Sequence, residues 1–253
     1  MNQIEKARAF ADLHEVGNPL VLYNAWDAGS AKAIADGGAP AIATGSWSVA
    51  AAQGYGDGQK IPLDLLQTIA AAIVQTVDVP VTIDFEGAYA AEPEEAAANV
   101  ERIIQAGAIG INFEDQVVGG DGLYEISVQA GRIAAIRRRA EQVGVPFFIN
   151  ARTDLFLKEA DRSEHKDLIA EAKERAGAFA EAGASGFFAP ALVEEGLISD
   201  LAEAISLPLN IMMMKGAPST ERLGELGVSR VSYGPGPYRE AMRQVTEAAK
   251  AVY

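Results

Sequence analysis

The stretch PVTIDFEGAY, from Pro80 to Tyr89, decides the fold and marks the candidate site. An apolar, β-rich run leads directly into two carboxylates, Asp84 and Glu86, which are two residues apart. In an extended strand this spacing puts both side chains on the same face. Because the burial of two like charges at a strand end is costly, a cation or a proton is usually needed to hold them there.

Two further apolar runs end in charged residues in the same way. Ile109–Asp115 (IGINFED) ends in acids, and Pro146–Asn150 (PFFIN) is followed by Arg152 and Asp154. Three strands that each finish in charge are typical of a (β/α)8 barrel, which builds its active site at the C-terminal ends of its strands. Taken singly, each acid is equally explained as an N-cap of the helix that follows it.

The alternation of apolar runs and helical patterns predicts eight βα units after an N-terminal helix at residues 2–15. The predicted strands are Pro19–Tyr23, Ala39–Thr44, Val79–Asp84, Ile109–Glu114, Val145–Asn150, Gly186–Ala189, Leu207–Met212 and Ser229–Ser232. This pattern favours an α/β fold, a (β/α)8 TIM barrel in one domain over residues 1–253. A doubly wound open sheet is the alternative, but no GxGxxG motif follows the first strand.

Composition and charge exclude several classes of function. The formal net charge of −14 argues against nucleic acid or an anionic membrane as partner. The absence of cysteine excludes thiolate catalysis and sulfur-ligated metals, and two histidines, His14 and His165, are too few for a multi-histidine zinc site. The N-terminal MNQIEKARAF has no apolar signal core and no apolar run is long enough to span a bilayer. We therefore expect a cytoplasmic protein, and a small anionic substrate remains possible where a metal or a local arginine reverses the negative field.

Two polar segments between the second and third predicted strands carry further candidate residues. Gly45–Ser48 is predicted to form a tight turn whose backbone N–H groups hold a carboxylate, although an ordinary strand-to-helix turn has the same pattern. The glycine-rich loop QGYGDGQK, which begins at Gln53, carries Asp57.

Five motifs in this chain resemble those of the isocitrate lyase and phosphoenolpyruvate mutase superfamily, in the same order and with similar spacing. They are TGSWSVAA at Thr44, GYGDG at Gly54, DFEGAY at Asp84, INFEDQ at Ile111 and NARTD at Asn150. Each motif is weak alone, but the set is specific and covers nearly the whole chain.

The resemblance implies a Mg²⁺ site in the mouth of the barrel, with Mn²⁺ as an alternative ion. Asp84 would bind the metal directly, and Asp57, Glu86 and Glu114 would hold its water ligands. This arrangement agrees with the preference of Mg²⁺ for oxygen ligands and with its tendency to keep several waters.

The resemblance also implies a clamp for a 2-oxo acid. Its carboxylate would be held by Thr44, by the backbone of Gly45 and Ser46, and by Arg152, with Asn210 near the substrate. Arg152 and Glu114 are the predicted catalytic residues, because an arginine stabilises the developing enolate. A structural salt bridge of Arg152 with Asp154 or Glu114 is the alternative, as is a plain strand-end turn for Asn210.

The loop Val117–Tyr124 (VVGGDGLY) departs from the family pattern. The family's lyases carry a cysteine in this loop, and its mutases and hydrolases carry lysine or asparagine there, whereas this chain has none of these. We therefore predict a Mg²⁺-dependent lyase that decarboxylates or cleaves an oxaloacetate-like 2-oxo acid through an enolate. The alternatives are C–P bond chemistry on a phosphonopyruvate-like substrate and a barrel that binds a 2-oxo acid without turnover.

An oligomer is also expected. Family members commonly form tetramers by exchanging a helix that lies beyond a segment similar to Pro237–Val252, and this chain ends at Tyr253. We therefore predict a homodimer or homotetramer without helix exchange, in which Pro237–Val252 packs on its own barrel.

Overall fold

The computed structural model describes residues 1–253 and is built around eight parallel strands. The strands are β1 (Leu20–Leu22), β2 (Ile42–Ala43), β3 (Val81–Asp84), β4 (Gly110–Glu114), β5 (Phe148–Arg152), β6 (Gly186–Phe188), β7 (Leu209–Met212) and β8 (Arg230–Ser232). They follow the order β1-β8-β7-β6-β5-β4-β3-β2. The first and last strands of this order meet just beyond their ends, where Ala25, after β1, forms a parallel bridge with Thr44, after β2. The predicted (β/α)8 barrel, with a helix before the first strand, is therefore confirmed.

Helices surround the strands on the outside. They are α1 (Gln3–Asp12), α2 (Ala28–Asp36), α3 (Ser46–Ala52), α4 (Leu63–Thr76), α5 (Pro93–Gln105), α6 (Ile126–Val143), α7 (Leu155–Lys158), α8 (His165–Glu181), α9 (Glu195–Ala204), α10 (Thr220–Glu225) and α11 (Gly236–Lys250), with a 3₁₀ turn at Arg162–Glu164. None of these helices has the length and apolar character needed to cross a membrane.

The interior of the barrel is closed at its N-terminal end by α1. Phe10 is fully buried and packs edge-to-face on Phe148, with 5.2 Å between the ring centroids, and His14 stacks on the same ring at 4.3 Å. Burial, and after it the charge of Arg230, lowers the pKa of His14 to about 3. The N-terminal end of the barrel is thus closed by packed side chains, and the open end is the one at the C-terminal ends of the strands.

The segment after β2 differs from the prediction. Gly45–Ser48 was predicted as a tight turn, but only Gly45 is extended, and α3 begins at Ser46. The small side chains of Ala50, Ala51 and Ala52 favour helix and continue it for two turns. The backbone N–H groups of this segment therefore belong to the first turn of a helix.

The last helix agrees with the prediction only in part. Helix α11 was expected to pack on its own barrel, yet Pro237 is its only buried residue and every residue from Met242 onward is exposed. Val245 is 60% exposed and Val252 is 80% exposed. The first turn of α11 does pack on its own barrel, where Tyr238 contacts Trp26 and Trp47, whereas the packing of the part from Met242 onward stays a prediction.

Candidate functional site

A cavity of about 230 Å³ lies where the strands end. Five of the predicted site residues line it, namely Gly45, Ser46, Asp57, Asp84 and Arg152. The other four, Thr44, Glu86, Glu114 and Asn210, are buried behind this lining. The structure therefore brings the predicted residues to one end of the barrel, with about half of them facing the cavity itself.

Asp84 is the last residue of β3, and its carboxylate faces the cavity from a fixed position. Its Oδ2 accepts hydrogen bonds from the backbone N–H of Ser46 at 2.8 Å and from the Ser46 hydroxyl at 2.7 Å. Its Oδ1 accepts a hydrogen bond from Nδ2 of Asn112 at 3.2 Å. Neutral donors on both oxygens hold this carboxylate in one orientation.

The segment Thr44–Ser46 is used within the protein. The Thr44 hydroxyl accepts a hydrogen bond from the backbone N–H of Asp84 at 2.9 Å, and the Gly45 N–H donates to the carbonyl of Ala25 at 3.1 Å. With the Ser46 donors bound to Asp84, the hydroxyl hydrogen of the buried Thr44 is the one donor of this segment that has no acceptor in this arrangement. The prediction that Thr44, Gly45 and Ser46 bind substrate stays a prediction.

Glu86 links the turn after β3 to the loop that carries Asp57. Its Oε1 accepts hydrogen bonds from the backbone N–H groups of Gly58 at 3.0 Å and Gln59 at 2.9 Å. Burial, together with the charges of Asp84 and Asp57, raises the pKa of Glu86 to about 7. Although Asp57 lies on an exposed loop, partial burial of its carboxyl group and the charge of Asp84 raise its pKa as well.

Glu114 and Asp154 share Arg152. Arg152 Nη1 lies 3.0 Å from Oε2 of Glu114, while Nε and Nη2 donate to the two carboxylate oxygens of Asp154 at 2.6 and 3.0 Å. The structural salt bridges considered for Arg152 are therefore both present, and the guanidinium still lines the cavity. Burial raises the pKa of Glu114 well above its ordinary value, against the attraction of Arg152.

Sequence reasoning missed a buried polar network beneath the cavity. Asn112 Oδ1 accepts hydrogen bonds from Nη2 of Arg230 at 3.1 Å and from Nδ2 of Asn150 at 2.9 Å, which leaves its Nδ2 to donate to Asp84. Asn210 lies in the same network, bonded to Ser232 at 3.2 Å rather than facing the cavity. The only signal for this network is a polar residue at inward-facing positions of otherwise apolar strands.

The rim of the cavity was also missed. Arg239, the fourth residue of α11, places its guanidinium 4.6 Å from the ring centroid of Trp47, and both residues line the cavity. Tyr238 packs against Trp47 with 5.9 Å between the ring centroids. Four apolar residues also line the cavity, namely Leu157, Phe188, Pro190 and Met212.

The acidic side of the site fits a divalent cation. No three carboxylates come close enough to bind one ion together, so Asp84 would be the direct ligand and the other acids would act through water. Burial and, after it, the neighbouring carboxylates raise the pKa values of Asp57, Glu86 and Glu114, so the ionised forms of these groups are costly at this site. A bound dication would stabilise the ionised forms.

The chain is similar to a protein family, to a solved structure and to curated proteins over most of its length. The family model for phosphoenolpyruvate phosphomutase matches residues 10–253. A solved structure from Burkholderia cenocepacia, a "putative phosphonomutase", is 43% identical with a TM-score of 0.96 and complete coverage of both chains. An uncharacterized protein of Mycobacterium tuberculosis is 34% identical over 96% of this chain and 88% of its own length. "Probable 2-methylisocitrate lyase 2" of Corynebacterium glutamicum is 32% identical over 70% of this chain and 57% of its own length.

Proposed function

Because this chain belongs to the isocitrate lyase and phosphoenolpyruvate mutase superfamily and is an enzyme of that superfamily, we propose that it is a Mg²⁺-dependent lyase. Its substrate is a small 2-oxo acid of the oxaloacetate type, which it decarboxylates or cleaves at a C–C bond through an enolate. The observation that carries the proposal is the cavity itself, which is lined by the carboxylate residue Asp84, by Arg152 and by a second, exposed arginine, Arg239.

Asp84 holds the metal in this proposal, and Asp57, Glu86 and Glu114 hold its water ligands. Bound Mg²⁺, or Mn²⁺ in its place, supplies a Lewis acid for the keto and carboxylate oxygens of the substrate. Glu114 also fixes Arg152, because its carboxylate lies 3.0 Å from Nη1 and orients the guanidinium toward the cavity. Arg152 then stabilises the negative charge that develops on the substrate.

The substrate carboxylate is held by Arg152 together with Thr44, Gly45 and Ser46. Because the Ser46 donors are bound to Asp84 and the Gly45 N–H is bound to the carbonyl of Ala25 in this structure, substrate binding requires these donors to be shared with the substrate carboxylate. Asn210 contributes to substrate binding indirectly, because it is hydrogen-bonded to Ser232 and Ser232 lines the cavity.

Arg239 binds the distal acidic group of the substrate in this proposal. Its guanidinium stacks on Trp47 at the rim and forms no ion pair within the protein, so its charge is free for a ligand. A cation on an aromatic face is held in a defined direction, which suits recognition of a planar carboxylate.

A reaction that needs no general base fits the lining of the cavity. The lining contains no histidine, lysine or cysteine. Decarboxylation breaks the bond to the departing carboxylate, leaves its electron pair on the substrate as an enolate, and takes a proton from water afterwards. Stabilisation of negative charge is therefore the main task that this site has to perform.

Cleavage of a C–P bond is the second candidate. It is favoured by one observation, the similarity to the "putative phosphonomutase", and Arg239 would suit a phosphonate as well as a carboxylate. An assay of oxaloacetate, its 3-alkyl derivatives and phosphonopyruvate with Mg²⁺ or with a chelator separates the two. Mg²⁺-dependent loss of oxaloacetate or a derivative supports the lyase, whereas phosphate release from phosphonopyruvate alone contradicts it.

Assembly into a homodimer or homotetramer belongs to the same proposal, with one change from the sequence-based expectation. The half-buried Ala241 and the exposed Val245 and Ala248 form an apolar stripe along α11, and Val252 continues it beyond the end of the helix. A groove of about 740 Å³, lined in part by apolar residues, lies beside it between α2 and α11. A contiguous exposed apolar face is typical of protein interfaces. We therefore propose that α11 packs on a neighbouring copy. The cytoplasmic location stays a prediction.

A further inference from the structure

Arg132 is a buried arginine of α6 that the chemistry described above does not use. Its side chain is fully buried between the turn after β3 and the loop after β4. The guanidinium lies between two aromatic rings, 4.7 Å from the centroid of Phe113 and 4.4 Å from that of Tyr124. Such stacking fixes the plane of the guanidinium.

The hydrogen bonds of Arg132 go to neutral oxygen atoms. Nη2 donates to the carbonyls of Gly87 at 2.7 Å and Ala90 at 2.8 Å, and Nη1 donates to the side-chain oxygen of Gln129. Nε is buried without a partner. A buried charge without a carboxylate partner is costly, so the charge of Arg132 does not explain its presence here. What the guanidinium provides is a planar set of N–H donors that binds several oxygen atoms at fixed angles.

The turn that receives these bonds has an unfavourable backbone. Glu86, Ala88 and Tyr89 have φ angles of 51°, 60° and 58°, in the left-handed region that side chains other than glycine rarely adopt. Such a backbone persists only where its surroundings hold it. The two carbonyls that Arg132 binds flank Ala88 and Tyr89, and this turn directs Glu86 toward Gly58 and Gln59.

The loop Val117–Tyr124 contacts both Arg132 and the turn that Arg132 binds. The Tyr124 hydroxyl accepts a hydrogen bond from the backbone N–H of Val118 at 3.3 Å. Val118 in turn packs on Gly87 so closely that a Cβ there would lie 2.7 Å from its Cγ2. Arg132, Gly87, Val118 and Tyr124 therefore form a closed ring of contacts that joins the loop to the turn.

We infer that Arg132 is a positioning residue that couples the Val117–Tyr124 loop to the turn that carries Glu86. Loss of its guanidinium releases both segments together, and Glu86 then no longer has a fixed direction. The inference rests on the proposed function only in assigning Glu86 to the Mg²⁺ site, since the coupling itself exists in the metal-free protein.

Arg137 provides a matched control on the same helix. It is partly buried, whereas Arg132 is fully buried, and it also donates to a backbone carbonyl, that of Gly183 at 2.9 Å, but it does so at the opposite end of the barrel, before β6. Arg132→Met and Arg137→Met therefore remove the same kind of bond from α6, and only the first should affect the site.

The experiment measures amide hydrogen exchange of residues 85–90 and 117–124 without metal, and Mg²⁺ affinity by calorimetry. Arg132→Met is expected to speed exchange in both segments and to weaken Mg²⁺ binding about 10- to 100-fold, as typical for groups that orient metal ligands. Arg137→Met should change neither. Equal behaviour of the two variants, or loosening of only one segment, would overturn the inference.

Two further variants keep the test decisive. Gly87→Ala displaces Val118 and should speed exchange of 117–124, and adding it to Arg132→Met should have little further effect because the ring of contacts is already open. Additive effects would contradict the coupling.

Arg132→Lys should restore the slow amide exchange of the wild-type protein only partly, and it replaces Arg132→Met if that variant does not fold. If the wild-type protein binds no Mg²⁺, the proposed function fails, while the exchange data still test Arg132.

Discussion

Ser46 donates two hydrogen bonds to one oxygen of Asp84, from its backbone N–H at 2.8 Å and from its hydroxyl at 2.7 Å. The other oxygen of Asp84 accepts one hydrogen bond, from Asn112. Since each carboxylate oxygen has about two lone-pair sites, Oδ1 keeps one for a ligand in the cavity. Asp84 is thus oriented before any metal binds, and Oδ1 is the oxygen expected to bind it.

Asp84→Ala should abolish Mg²⁺ binding and activity and leave the fold intact, because it removes a charged ligand and no core side chain. Calorimetry measures the binding, and circular dichroism checks the fold. Asp36→Ala serves as control, since Asp36 is an exposed acid on α2 that pairs with Lys32. Full activity of Asp84→Ala would disprove the metal site.

The stability of the metal-free protein should fall as the pH rises from about 4.5 to about 7. The pKa of Glu86 is raised by burial from 4.5 to about 7, so the folded state holds a proton that the unfolded state loses. The stabilising contribution is present below pH 4.5 and is lost through pH 7, and it amounts to about 3 kcal/mol. Glu114 and Asp57 change stability in the same direction.

Urea unfolding at several pH values in the presence of a chelator measures this effect. Glu86→Gln should be less dependent on pH than the wild-type protein, because the amide cannot ionise. A wild-type protein whose stability rises over the same pH range would contradict the expected sign.

Sequence predicts the strands and their acids well because each strand is a short, fully buried apolar run with charge only at its end. It does not predict Arg230, because a single inward-facing arginine in the run SRVS has no pattern of its own. Arg132 is hidden for another reason, since it shares a helix with Arg137, Arg138 and Arg139 and looks like part of a solvated basic face. Burial of individual side chains depends on tertiary packing, which periodicity does not encode.

Arg239→Met should raise the KM for a substrate with a distal acidic group by about 10- to 100-fold, as expected for loss of a hydrogen bond to a charged group. The kcat should change much less if the contact is equally strong in the ground state and the transition state. Steady-state kinetics separate the two constants. Arg243→Met is the matched control, because Arg243 lies one turn later on α11 and pairs with Glu240. An unchanged KM would remove Arg239 from the substrate site.

Asp121→Asn should leave turnover within about tenfold of the wild-type value, whereas loss of a general base typically costs about 10²–10⁴-fold. Asp121 lies on the exposed part of the Val117–Tyr124 loop and does not line the cavity. Turnover of the best substrate measures the effect. A loss of 10²-fold or more would mean that this loop supplies a base, and lyase chemistry that needs one would return to consideration.

Met242→Glu combined with Val245→Glu should dissociate the protein into smaller species. Both side chains are exposed on α11, at 37% and 60%. Cover by a neighbouring copy would remove this apolar surface from water, which favours association. Two new carboxylates would have to be buried in that interface without partners, which is costly. Light scattering at micromolar concentration measures the mass of the assembly. Arg243→Glu is the matched control, because Arg243 lies about 200° around α11 from Val245 and its change alters the net charge by the same amount. A wild-type protein that is already a monomer, or equal dissociation by the control, would show that the exposed part of α11 is not an interface.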